Sequence, residues 1–160
     1  METMKTDKFL LGIIIGILIL VIAAVAVVMT RTRSEQYVAD DNPAGVVHNY
    51  YLAIQREEYQ KAYTYLSDDI PGKPSLDEFI TTIDSNRTYD NSTLSIDSTT
   101  TANNRARVKV TITTFSGGGL FDRGSYSRPE VVQLQLENNQ WKILQFPYPY
   151  WGYNWDQKQD

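Results

Sequence analysis

The sequence contains no cysteine, and this absence excludes several kinds of chemistry. The fold has no disulfide, no thiolate metal site and no cysteine nucleophile, and no lipidated cysteine can tether the chain. Histidine is nearly absent too, since His48 is the single one. One imidazole among scattered carboxylates does not make a metal site. We therefore predict no catalytic residue, no cofactor and no metal.

Positive charge is scarce as well. The chain carries 15 Lys and Arg against 19 Asp and Glu, for a net charge of -4. Phosphate backbones repel an acidic chain, so we expect no nucleic-acid partner. Aromatic residues are abundant by contrast, with 11 tyrosines and 3 tryptophans. Their number indicates aromatic packing or an amphipathic contact surface.

One long uncharged run, residues 9–29, follows a short leading segment, residues 1–8. A helix of this length spans about 31 Å, which matches the hydrocarbon core of a bilayer. We therefore predict a transmembrane helix that acts as a signal anchor, with membrane lipid as its partner. The alternative is a signal peptide cleaved after Ala26, because Ala24-Val25-Ala26 has the small-residue pattern of a cleavage site.

The orientation of this helix rests on a weak charge bias, because two lysines precede it and two arginines follow it. The short leading segment favours a cytoplasmic N-terminus, so we predict a single-pass protein of the cell membrane with its C-terminal domain outside. Gly12 and Gly16 form a G-x-x-x-G pair that lets two helices approach closely. A homodimer and a separate protein partner are both hypotheses. Residues 30–42 form a polar juxtamembrane linker.

The pattern then becomes helical. Residues 43–54 place apolar side chains at helical spacing, after Asn42 or Asp41 as a cap. A second short helix is predicted over 58–67. A capping box at Ser75–Glu78 begins a third helix, because the Ser and Glu side chains can satisfy each other's backbone donors.

From residue 87 onward the period changes to two, which is typical of antiparallel strands with one wet face. The alternating segments are 93–98, 105–115, 131–136 and 140–143. Asn103-Asn104 and Asn138-Asn139 are turn pairs that tolerate positive φ, and Ser116–Gly124 is predicted to be a flexible loop. The predicted fold class is α+β: an N-terminal transmembrane helix, then a helical hairpin and a third helix packed on a curved antiparallel sheet of about four strands.

This order of elements resembles the nuclear transport factor 2-like superfamily, cone-shaped domains that include ketosteroid isomerase. The residues that carry the resemblance are Val46–Ile54, Tyr59–Ser67, Ser75–Phe79, Val131–Leu136 and Gln140–Ile143. The resemblance implies an α+β domain over 43–146. Many members are enzymes, and many are non-catalytic domains on bacterial membrane proteins, which the predicted anchor resembles more. An isomerase-like site needs an inward carboxylate beside a tyrosine, and the pattern identifies no such Asp or Glu on a strand.

The tail, residues 147–160, alternates prolines with aromatic residues, which suppresses helix and strand. Its rings either fold back over the sheet or the open end of the cone, or form an exposed segment that contacts a protein, a glycan or lipid headgroups. The candidate residues for ligand or partner contact are all aromatic: Tyr50, Tyr63, Trp141, Tyr148, Tyr150, Trp151 and Trp155.

Three functional hypotheses follow. The main one is a membrane-anchored, extracytoplasmic, non-catalytic interaction module. The alternative is a small-ligand-binding domain that uses the cone interior, lined by Tyr50, Tyr63 and Trp141. A third is an isomerase- or cyclase-like enzyme, which requires an inward carboxylate next to a tyrosine hydroxyl.

Overall fold

The structure is a computed structural model that describes residues 8–31, 35–86, 91–118 and 122–157. The chain divides into two compact units, Met1–Gln36 and Tyr37–Asp160. The first unit contains helix α1, Lys8–Arg31. The second unit contains three helices followed by four strands: α2 (Pro43–Gln55), α3 (Tyr59–Thr64), α4 (Leu76–Ser85), β1 (Ser92–Ala102), β2 (Arg105–Gly118), β3 (Asp122–Glu137) and β4 (Gln140–Gln145).

The structure does not support the transmembrane helix predicted over 9–29. Within the described residues, no helix is both long enough and apolar enough to cross a membrane. The prediction of a spanning helix in the fold class was therefore wrong. The predictions that depend on it, a signal anchor and a single-pass protein of the cell membrane, are wrong for the same reason.

The helix starts of the second unit follow the predicted capping chemistry. The Asn42 side chain accepts a hydrogen bond from the Gly45 N–H at 2.9 Å, and Pro43 occupies the first helical position, where its missing N–H costs nothing. At α4, the Ser75 hydroxyl accepts from the Glu78 N–H at 3.3 Å. Both starts are set by local side chains, which is why the sequence predicted them.

Helix α3 is shorter than the helix predicted over 58–67. The chain leaves the helix at Tyr65 and runs alongside the sheet, where Leu66 forms a parallel bridge with Ile143. The Ser67 N–H donates to the Ile143 carbonyl at 2.8 Å, and the Ile143 N–H donates to the Tyr65 carbonyl at 2.8 Å. These bonds to β4 replace the last helical turn.

The four strands form one antiparallel sheet in the order β1-β2-β3-β4, so the predicted α+β class with a four-stranded sheet is confirmed. The asparagine turns adopt the positive φ expected of them, 53° at Asn103, 48° at Asn138 and 65° at Asn139. Strands β2 and β3 pair as far as Gly118 and Asp122, inside the predicted flexible loop. Their outer ends lack apolar alternation, so hydropathy does not reveal this backbone pairing.

The core lies between the helices and the inner face of the sheet. Its strand residues alternate along β2 and β3, and Val108, Val110, Val132 and Leu134 are fully buried. A C-terminal segment, residues 146–157, adds its own rings to the same cluster. The chain therefore completes its core with residues that follow the last strand.

Residues 37–42, here called the strap, lie against α2 and α3. The buried Asn49 side chain accepts from the Val38 N–H at 3.0 Å and donates to the Val38 carbonyl at 2.8 Å. The Tyr37 hydroxyl donates to Glu58 at 2.6 Å, and the Lys61 ammonium lies 3.0 Å from the centre of the Tyr37 ring. The strap is thus part of the folded second unit, although the sequence analysis assigned these residues to a linker.

Candidate functional site

Two of the predicted contact residues, Tyr50 and Tyr150, are fully buried, and each hydroxyl donates a hydrogen bond to a backbone carbonyl. The Tyr50 hydroxyl donates to the Tyr150 carbonyl at 2.7 Å, and the Tyr150 hydroxyl donates to the Ser92 carbonyl at 3.2 Å. Burial raises the pKa of both phenols above the usual value, because an ionised phenolate loses its hydration. These tyrosines join α2, the C-terminal segment and β1.

The remaining interior rings stack around Phe79 of α4. The Trp155 ring stacks on Phe79 with centroids 5.4 Å apart and an angle of 28° between the ring planes, and Trp151 meets Trp155 edge-on at 5.0 Å. Tyr63 meets Phe79 edge-on at 5.5 Å, and its hydroxyl donates to the Pro74 carbonyl at 2.8 Å. Of the rings predicted to line a ligand cavity, Tyr50 packs against Phe146 and Tyr63 packs against Phe79.

Trp141 lies apart from this cluster. It is half-buried at a cleft of about 370 Å³ between the strap, α3 and the turn between β3 and β4. The ammonium groups there already have partners, because Lys61 lies over the Tyr37 ring and Lys142 donates to the Thr64 carbonyl at 2.7 Å. The two lysines are therefore engaged within the fold, and the other polar side chains in the lining are Asp40, Asp41, Asn139 and Gln140.

A second cleft, here called the tail cleft, opens between the C-terminal segment and the strands β3 and β4. Its volume is about 530 Å³, which is within the range of small-molecule sites. Its lining residues come mostly from the C-terminal segment: Arg128, Gln145, Phe146, Pro147, Tyr148, Trp151, Gly152, Tyr153, Asp156 and Gln157. The tail cleft therefore contains Tyr148 and Trp151, two of the predicted contact residues.

The aromatic rings of the tail cleft differ sharply in exposure. Tyr153 is 90% exposed and Tyr148 is 51% exposed, whereas Trp151 is only 5% exposed. The indole N–H of Trp151 is shielded from solvent and has no hydrogen-bond partner in the part of the chain that the structure describes. A buried donor without an acceptor costs about 1–3 kcal/mol. The C-terminal segment thus keeps two rings outside and one unsatisfied donor inside.

Polar side chains hold the other wall of the tail cleft. The Gln145 amide donates to Asp156 at 3.1 Å and its carbonyl oxygen accepts from Gln133 at 2.6 Å. Arg128 donates to the Tyr148 carbonyl, and its Nε lies 3.2 Å from a carboxylate oxygen of Glu130. These contacts orient the amide, the carboxylate and the guanidinium before any ligand arrives.

Sequence reasoning missed Arg128 and Glu130. The register pairs Glu130 with Val110 and Arg128 with Ile112, and both partners are buried on the inner face. Counting back by two from the buried Val132 would have found both positions, because side chains on one face of a strand recur every second residue. Glu130 is therefore an inward strand carboxylate, although Arg128 already pairs with it.

The site offers binding groups and no evident reactive set. Among the residues that the structure describes, no three His, Cys, Asp or Glu side chains converge as a metal site. The tail cleft instead supplies aromatic rings, amides, one carboxylate and one guanidinium. Such groups suit the recognition of a small polar molecule that also has an apolar face.

Comparison of the sequence with protein-family profiles and with curated proteins gives no match. Solved structures do match. A SEC-C motif containing protein from Rhodopseudomonas palustris has a TM-score of 0.50 at 15% identity, over 68% of this chain and 79% of that one. This likeness concerns the fold alone.

The structural neighbours also include nuclear transport factor 2-like proteins at low identity. One, from Shewanella oneidensis and of unknown function, has a TM-score of 0.45 at 11% identity, over 63% of this chain and 90% of that one. Another, from Streptomyces avermitilis, has a TM-score of 0.40 at 17% identity, over 62% of this chain and 86% of that one.

Proposed function

We propose that the second unit is a small-ligand-binding domain of the nuclear transport factor 2-like type, and that its site is the tail cleft. The observation that supports this most is the unsatisfied, shielded indole N–H of Trp151, a residue that lines the 530 Å³ tail cleft. A ligand with an acceptor at that position regains a hydrogen bond that the folded chain lacks. Because the nitrogen is fully shielded, the surrounding side chains must shift slightly to admit the acceptor.

The sequence analysis also predicted a small-ligand-binding domain as its alternative, but placed the ligand in the cone interior. The proposed site is instead the tail cleft. The interior is filled by Tyr50, Tyr150 and Trp155, so a ligand has to bind beside these rings and not among them. Burial of these rings also removes most of the contact surface that the interaction-module hypothesis requires. Of the predicted tail residues, only Tyr148 keeps half of its area exposed.

The test is protein-observed NMR on the ¹⁵N-labelled full chain. The chain has 3 tryptophans and therefore three indole N–H signals, and the Trp151→Phe variant assigns one of them. The probes are methyl glucopyranoside, benzoate and inorganic phosphate, each titrated to high concentration. We expect at least one of them to shift the Trp151 indole signal and the backbone signals of residues 145–157 saturably.

The control is the tyrosine variant Tyr126→Ala, which removes an exposed ring that does not line the tail cleft. It should leave the titration unchanged, whereas Tyr153→Ala should weaken it. The proposal fails if no probe moves the Trp151 signal, or if the shifts map to the cleft around Trp141 instead.

A further inference from the structure

We infer that the ligand of the tail cleft is a neutral sugar in its pyranose form, free or at the end of a glycan. This inference rests on the proposed function and adds the chemical class of the ligand. A pyranose ring presents C–H groups on its faces and hydroxyl groups around its edge. The tail cleft must therefore supply both flat apolar surfaces and groups that donate and accept hydrogen bonds.

The apolar surfaces are the rings of Tyr148 and Tyr153. The Tyr148 hydroxyl donates to the Asn86 side chain at 2.8 Å, which fixes the tip of a ring that is otherwise half exposed. A tyrosine face carries partial negative charge, and polarised C–H groups carry partial positive charge, so the two attract. A held ring also loses little conformational entropy when it binds.

The hydrogen-bonding groups are Gln145, Asp156 and the indole N–H of Trp151. The carboxylate accepts from sugar hydroxyls, the amide can donate and accept, and the indole N–H donates only. A hydroxyl group both donates and accepts, so a single sugar can satisfy all three kinds of group. A purely apolar ligand leaves the indole N–H unsatisfied.

The charge of the lining favours a neutral ligand. The charged side chains in the lining are one guanidinium, Arg128, and one carboxylate, Asp156, so the lining is neutral overall. Arg128 already contacts the Glu130 carboxylate and the Tyr148 carbonyl. An anionic ligand therefore meets the Asp156 carboxylate as well as the Arg128 guanidinium, and like charges repel. A neutral polyhydroxylated ligand pays no such cost.

The experiment compares methyl glucopyranoside with its anionic counterpart, glucuronate, and with benzoate, using the Trp151 indole signal of the full chain. We expect the neutral pyranoside to bind at least about fivefold more tightly than glucuronate, which corresponds to roughly one lost hydrogen bond. Tyr153→Ala and Asp156→Ala should each weaken pyranoside binding by about fivefold or more, and Tyr126→Ala should not change it.

The outcomes separate this inference from the proposed function. Binding of benzoate, phosphate or glucuronate at Trp151, with no response to the pyranoside, overturns the sugar assignment and leaves a ligand site standing. Pyranoside binding that Tyr153→Ala and Asp156→Ala leave unchanged overturns the assignment of the sugar to the tail cleft. Silence of the Trp151 signal toward every probe removes both.

Discussion

The phenols of Tyr50 and Tyr150 show how burial turns a single side chain into a determinant of stability. Each hydroxyl donates to a backbone carbonyl inside the core, and each pKa is raised because the phenolate would be desolvated. Below pH 10 both the folded and the unfolded chain keep these protons, so neither tyrosine makes stability depend on pH there. Above pH 10 the unfolded chain releases its phenolic protons first.

We therefore expect the free energy of unfolding to fall as pH rises above 10, by about 1.4 kcal/mol per pH unit for each tyrosine that stays protonated only in the folded state. Tyr50→Phe should make this decline less steep by about that amount. At pH 8 the same variant should lose about 1–3 kcal/mol, because the Tyr150 carbonyl loses its donor. Urea unfolding at pH 8, 10 and 11 measures both effects.

Tyr153→Phe is the matched control, because it removes a hydroxyl from a ring that is 90% exposed and lies outside the core. If the free energy of unfolding falls equally steeply above pH 10 in Tyr50→Phe and in the unchanged chain, Tyr50 does not cause this pH dependence.

The strap and the first turn of α2 show how closely two elements approach. A Cβ at Gly45 would lie 2.1 Å from the backbone oxygen of Ala39, much nearer than any ordinary contact. Only glycine admits this approach, since the neighbour is backbone and cannot swing away. The hydrogen bonds between the Asn49 side chain and the Val38 backbone hold the strap close against α2. Glycine thus has a packing role here although it weakens an isolated helix.

We expect Gly45→Ala to lower the free energy of unfolding by about 1–3 kcal/mol, because the strap must move away from α2. Alanine would otherwise raise helix stability by about 0.5–1 kcal/mol, so a net loss reports the clash. Gly16→Ala is the matched control, since a Cβ there meets nothing within 4 Å. Urea unfolding of both variants measures the difference. A stabilised Gly45→Ala protein would show that the strap does not pack as described.

The second unit as a whole depends on its C-terminal segment for a complete interior. Tyr150, Trp151 and Trp155 are buried in one cluster with α2 and α4, and the Gly72 N–H donates to the Trp155 carbonyl at 2.8 Å. Truncating one large buried aromatic side chain typically costs about 3–5 kcal/mol. The loss of several of them is comparable with the 5–15 kcal/mol by which most domains are stable.

We therefore expect a chain ending at Phe146 to lose cooperative unfolding and its near-ultraviolet circular dichroism. Tyr153→Ala, which removes only an exposed ring of the same segment, should keep both. A truncated chain with the original urea midpoint would mean that these rings add nothing to the core.

Much of this architecture was predictable from the sequence because its signals are local. The Asn42 cap, the asparagine turns and the alternation along β2 all depend on residues a few positions apart. The burial of the C-terminal segment could not be predicted from local sequence, because it depends on partners about 100 residues away, as in the hydrogen bond from Tyr50 to Tyr150. The tail cleft combines that segment with Arg128 and Gln145, so no single stretch of sequence could reveal it.

The bond between Tyr50 and Tyr150 also bears on how the chain folds. It joins positions 100 residues apart, and the loop between them must lose its conformational freedom before the contact forms. Contacts of such large sequence separation slow folding, whereas helices and short hairpins form within microseconds. We expect α2 and the β2–β3 hairpin to form early, with a rate-limiting step in which the C-terminal rings enter between them. Variants of Trp155 should then mainly slow folding and change the unfolding rate less.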